Sequence, residues 1–143
     1  MAADPVYHYE FSVPAEAMDE NGHVNNVYFV QWMQDVAIRH YESIGGIPAT
    51  QALGATWVVR SHHIENLGPA YAGDVLEVST WIVTLRRVRS LRRYEFQRKS
   101  DGKLLVRGET DWVFVDAASG RPIPIPTELA ATFPMLPDRD SQA

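Results

Sequence analysis

The sequence contains no cysteine, which excludes a disulfide scaffold, a zinc ribbon and thiol catalysis. No apolar run approaches the roughly 18–20 residues that span a bilayer, so no membrane segment is expected. The opening Met1-Ala2-Ala3-Asp4-Pro5 lacks the basic start and apolar stretch of a signal peptide, and a cytoplasmic protein is expected. There is no Gly-x-Ser-x-Gly elbow, and no glycine spacing of the dinucleotide or phosphate-loop kind. Bases are few, 13 against 18 acids for a net charge of −5, which argues against general affinity for nucleic acid.

What is present suits a folded chain. Apolar residues make up 45% and charged residues 22%, a globular composition. The 143 residues fit one domain, able to bury about 68–70% of its unfolded surface without disulfides or a structural metal. The expected domain has its core at about residues 6–135 and a flexible tail after it. All the bases but Lys99 and Lys103 are arginine, and seven bases fall between Arg86 and Lys99. Such a concentration suits a localised phosphate, because the guanidinium fork matches two oxygens at once. It equally suits a charged hairpin standing in water, protected from aggregation.

The patterning is strand, helix, then strands. Val6 to Val13 reads as a strand closed by Pro14. The segment from Asn26 to Ile44 has helical periodicity, with Asn25 or Asn26 as cap and Gly45-Gly46 as the stop. Its apolar surface is wide (Phe29, Val30, Met33, Val36, Ala37, Tyr41, Ile44, with Trp32 at the edge). Its polar stripe is narrow (Gln31, Asp35, Arg39, Glu42), so most of its circumference is embedded. Strands follow at Thr56–Leu67, Asp74–Leu85 and Ser90–Lys99, the last with Tyr94 and Phe96 alternating against Glu95 and Gln97. Asp101-Gly102 is a hairpin turn. The next strand puts Leu104, Val106, Thr110, Trp112 and Phe114 on one face and Arg107, Glu109 and Asp111 on the other. A short helix near Thr127 to Phe133 ends the pattern. Four strands on short turns make an antiparallel sheet, one face covered by the single long helix: an α+β architecture. An open sheet has edges that template another copy, so a homodimer is expected.

Chemistry concentrates in Asp19-Glu20-Asn21-Gly22-His23-Val24-Asn25-Asn26, just before the helix. Unpaired N–H groups at a helix start carry the positive end of the macrodipole and can stabilise an oxyanion. A carboxylate ahead of that turn can act on a carbonyl polarised there. The same residues also read as a capped helix with an acidic first loop. Asp35, four residues before Arg39, reads as half of an exposed ion pair. His62 and His63 point to opposite faces of a strand and so cannot share a metal ion, though either one could line a cleft. Arg60 reads as solvated or ion-paired. Trp32, Trp57, Trp81 and Trp112 read as core or subunit-interface residues.

The run Asp-x-x-Gly-His-Val-Asn-Asn leading into an aromatic-rich helix resembles the hot-dog-fold acyl-CoA thioesterases of the 4-hydroxybenzoyl-CoA thioesterase type. Gly68-Pro69-Ala70-Tyr71-Ala72-Gly73-Asp74 resembles that family's turn before its central strand, and Gly120-Arg121-Pro122 with Ile125-Pro126 a later motif. The resemblance covers about residues 6–135. It implies a hot-dog fold, a five-stranded antiparallel sheet wrapped round one long helix. It implies Asp19 as catalytic acid, acting as nucleophile or general base, and the N–H of Asn26 as the donor that polarises the thioester carbonyl. His23 and Asn25 would shape the loop or orient water and substrate. Where the family usually has tyrosine, seven residues after the glycine, Phe29 stands, with Tyr28 one place earlier. Gln34-Asp35-Val36-Ala37 replaces Glu-x-Ala-Arg, so no second acid is supplied by the helix.

The implied activity is hydrolysis of an acyl-CoA or acyl-carrier-protein thioester, with no metal or redox cofactor, coenzyme A being part of the substrate. Arg86, Arg87, Arg89 and Arg92 are then candidate contacts for its phosphates. The implied assembly is a homodimer, or a homotetramer if dimers pair again. Alternatives on the same fold are a hydratase or dehydratase, or a non-catalytic acyl-CoA-binding module.

Overall fold

Strict alternation buries Tyr94 and Phe96, at 1% and 0% exposure, and the computed structural model, which describes residues 4–137, builds around them the sheet that this pattern predicts. The strands are β1 (Tyr7–Ser12), β2 (Ala55–Asn66), β3 (Val75–Arg86), β4 (Arg89–Arg98) and β5 (Leu104–Asp116). They lie in the order β1-β3-β4-β5-β2, every neighbouring pair antiparallel. The two edges are therefore β1 and β2. This is the hot-dog arrangement, with one long helix against the concave face.

That helix, α1 (Asn26–Ser43), starts on Asn25, whose side-chain oxygen accepts from the Val27 N–H at 3.0 Å. Phe29, Met33, Val36, Ala37 and His40 are its buried positions, a run of i, i+4, i+7, i+8 and i+11 that faces the sheet. Phe29 meets Phe96 edge-on at 5.1 Å. Gly108 on β5 makes room for Met33, because a Cβ there would come within 2.8 Å of the Met33 sulfur. The polar stripe of Gln31, Asp35, Arg39 and Glu42 is exposed as expected. The Asp35–Arg39 ion pair is not formed. Gln31 Nε2 donates to Asp35 Oδ1 at 2.9 Å instead, and the Arg39 guanidinium lies 4.1 Å over the Tyr9 ring. A ring face and a neutral amide hold these side chains better than a solvent-screened charge pair.

Gly45, at φ +74°, ends α1. Gly46 does not extend the stop, because it opens a second helix, α2 (Gly46–Ala52), and packs so tightly on the Tyr41 ring that any side chain would collide with it. The C-terminal segment is pinned across the far end of the sheet. Ile123 N–H donates to Phe114, Ile125 N–H to Arg87 and Leu136 N–H to Ile82, around a one-turn helix α3 (Thr127–Ala130). The flexible tail expected after residue 135 falls mainly on residues 138–143, outside the described residues. Among the described residues no helix is long and apolar enough to cross a membrane.

Candidate active site

The loop ahead of α1 is organised by Asp19. Its Oδ1 accepts from the backbone N–H groups of Asn21, at 2.9 Å, and His23, at 3.2 Å, while the Asp19 N–H donates to the His23 carbonyl at 2.7 Å. Gly22, at φ +78°, closes this tight turn in a conformation that side chains disfavour. Asp19 Oδ2 accepts from no described residue, and the side chain is half-buried. The carboxylate is thus held by one oxygen and free at the other.

The turn is tied to its surroundings by backbone bonds. Asn25 N–H donates to Ala17 at 2.9 Å and Val24 N–H to Ala70 at 3.1 Å. Asn26, the first residue of α1, keeps an N–H that no described residue accepts, since the Asn25 side chain takes the Val27 N–H and the Asn25 carbonyl takes that of Tyr28. The second sequence motif lies against the first: His23 meets the Tyr71 ring edge-on at 5.8 Å. Asp74 Oδ2 accepts from the Tyr71 N–H and from Arg98 Nη1, which also donates to the Pro69 carbonyl. Asp19, His23, Asn25 and Asn26 therefore share one small polar surface, braced by the Pro69–Asp74 turn.

The four arginines do not join them. β3 has 12 residues, so the Arg86–Arg87 turn lies roughly 35–40 Å along the strand from the Asp74 end beside the Asp19 loop. Arg86 and Arg87 are exposed there. Arg89 is committed to Asp111, which its Nε and Nη2 grip together, with Arg60 Nη1 at 3.8 Å from the same carboxylate. Asp111, expected on an exposed face, is only 9% exposed beneath these cations. Arg92 is a correction: it is 4% exposed, on the inner face with Tyr94 and Phe96, and cannot meet a phosphate at the protein surface. Its Nη1 donates to His40 Nδ1 at 2.9 Å and to Thr80 Oγ1 at 3.1 Å.

Sequence reasoning missed three interior polar groups. His40 is 2% exposed, and burial, aided by the Arg92 charge, pushes it from 6.5 down to about 4. Tyr41 Oη bonds Thr50 Oγ1 and accepts from Trp57 Nε1 at 3.1 Å. His62, the inward member of the His62–His63 pair, links Gln34 on α1 to Thr110 on β5 at 3.2 and 2.8 Å, and burial holds it below the usual imidazole value. A neutral ring that accepts from Gln34 and donates to Thr110 satisfies both contacts. His63 is exposed. The sequence alone points Arg92 at a phosphate and leaves the choice between His62 and His63 open; the partners that fix Arg92 and His62 inside come from distant elements.

The sequence profile described as the thioesterase-like superfamily matches residues 13–133. No curated protein matches significantly. Among solved structures, the chain is similar to a 1,4-dihydroxy-2-naphthoyl-CoA thioesterase from Synechocystis, at TM-score 0.79 and 22% identity over 90% of this chain and 95% of that one. It is similar to a hypothetical protein from Staphylococcus aureus solved in complex with CoA, at TM-score 0.82 and 20% identity over 92% and 83% of the two chains. A 12:0-ACP thioesterase from Umbellularia californica aligns at TM-score 0.84 and 19% identity over 96% of this chain and 54% of that one.

Proposed function

Because this chain belongs to the thioesterase-like superfamily, we propose that it hydrolyses an acyl thioester of coenzyme A or of an acyl carrier protein at the Asp19 loop. The observation that carries this reading is the pairing, in one short loop, of a carboxylate fixed by Oδ1 and free at Oδ2 with a helix-start N–H that has no acceptor.

The substrate carbonyl oxygen takes the N–H of Asn26, where the helix dipole stabilises negative charge. Asp19 then either attacks the carbonyl carbon, giving an acyl anhydride that water opens, or removes a proton from the attacking water. The C–S bond breaks, the thiolate departs, and the free acid is released. His23 and Asn25 keep the loop in shape, the first against Tyr71 and the second by capping α1.

The separation between the Asp19 loop and the Arg86–Arg87 turn gives the expected dimer a purpose. An arginine of that turn that meets a CoA phosphate comes from the second copy of the chain. A homodimer in sedimentation and a raised KM in Arg86→Ala/Arg87→Ala at unchanged kcat fit this arrangement; a monomer removes it.

The decisive experiment is thiol release from a panel of aryl, branched and linear acyl-CoAs and acyl-carrier-protein thioesters, with Asp19→Asn beside the wild type. Turnover that needs Asp19 supports the reading. CoA-ester binding without release leaves the non-catalytic binding module in its place.

A further inference from the structure

Between the second half of α1, α2 and the sheet lies a cavity of about 320 Å³, at the lower end of the range for small-molecule sites. Ala37, Tyr41, Ile47, Trp57, Trp112 and Arg92 are among the residues that line it. Its walls are mainly apolar, and the hydroxyl of Tyr41 is already occupied by Thr50 and Trp57.

Arg92 is the exception. It is 4% exposed and forms no ion pair among the described residues. Its hydrogen bonds both leave from Nη1, to His40 and Thr80, while Nε and Nη2 donate to no described residue. His40 does not neutralise it, because an imidazole that accepts at Nδ1 from a guanidinium is itself uncharged. Trp112 shares the cavity wall, and its side chain and Thr110 lie within hydrogen-bonding reach of the buried Tyr94 hydroxyl, so these neutral groups satisfy one another and leave Arg92 alone. A buried cation without a counter-charge is costly unless something supplies one. A carboxylate does so with two oxygens that match the free donors of the fork.

We infer that this cavity is a binding site for an organic monocarboxylate with an apolar body, its carboxylate held by Arg92 and its body against Ala37, Ile47 and Trp57. The site is separate from the Asp19 loop: Ala37 stands eleven positions beyond Asn26 on α1, about 16 Å along the helix. The inference therefore stands whether or not Asp19 hydrolyses thioesters.

Trp57 and Trp112 in the wall give a direct readout. Purified protein is titrated with octanoate and, separately, with octanamide, following tryptophan fluorescence. The expected result is a saturable change with octanoate and binding weaker by at least about tenfold for the uncharged amide. Arg92→Gln removes the octanoate preference and leaves the amide unaffected, Ile47→Trp blocks both ligands, and Asp19→Asn leaves octanoate binding unchanged. Equal affinity for acid and amide, or no saturable change with octanoate, overturns the inference. That comparison uses the wild type alone, so it holds even if Arg92→Gln fails to fold. Loss of octanoate binding in Asp19→Asn overturns it as well, by moving the ligand to the other site.

Discussion

Asp19, before the start of α1, stands half-buried with one carboxylate oxygen free, whereas Arg92, under the last turns of the same helix, is closed off from water beside a neutral histidine. The first accepts from two backbone N–H groups through Oδ1 and is open to solvent at its other oxygen. The second has lost its water and gained only two neutral neighbours. One end of the helix presents a carboxylate on a loop braced by backbone bonds. The other encloses a charge that a ligand can satisfy. If the proposed chemistry lies at the first end, variants at the two ends should separate turnover from stability.

The largest effect is expected from Asp19→Asn. Thiol release should fall by more than the roughly 10²–10³-fold typical of losing one oxyanion donor, with KM and the thermal midpoint nearly unchanged. Near-normal turnover would remove the contrast at its source. At the opposite end, Phe114, fully buried against Trp57, should cost about 3–5 kcal/mol in urea unfolding when replaced by alanine. Turnover per folded molecule should hold, and a parallel loss of kcat would show that the two ends are coupled.

A smaller effect comes with pH. His40 is held at about 4 in the folded chain against 6.5 for the free group, so between those values the unfolded chain binds more protons. Stability contributed by the neutral ring is complete above about pH 6.5 and is lost as the pH falls towards about 4. Denaturant midpoints across that window should decline for the wild type and decline less for His40→Gln; identical slopes would mean that His40 is not held neutral. The smallest change is Asn25→Ala, which removes the cap of α1 and should cost about 1 kcal/mol. Because the cap also arranges the Asn26 N–H, thiol release should slow with it; an unaltered rate would separate helix capping from carbonyl polarisation.

Much of this was legible from local pattern. The alternation of Tyr94 and Phe96 against Glu95 and Gln97, the periodicity from Asn26 onward and the Asp19–Asn26 run each depend on residues a few positions apart. Gly45-Gly46 was half-legible. A left-handed glycine ends a helix, but whether the chain then turns away or starts another helix depends on the Tyr41 ring against which Gly46 packs. Arg92 is misjudged from its neighbours in sequence. Its membership of a run of bases suggests a surface phosphate contact, while the structure puts it on the buried face with Tyr94 and Phe96.

Side-chain period and turn chemistry, which act over one or two turns of chain, were enough to determine an antiparallel sheet on one embedded helix and to locate the carboxylate at that helix's start. The tertiary structure alone decided that Arg92 meets His40 and Thr80, that Asp111 is covered by Arg89, and that the Arg86–Arg87 turn lies a strand's length from Asp19. These are meetings between distant segments. The environment of a charge is set by what the folded chain packs round it, and sequence spacing carries no measure of that.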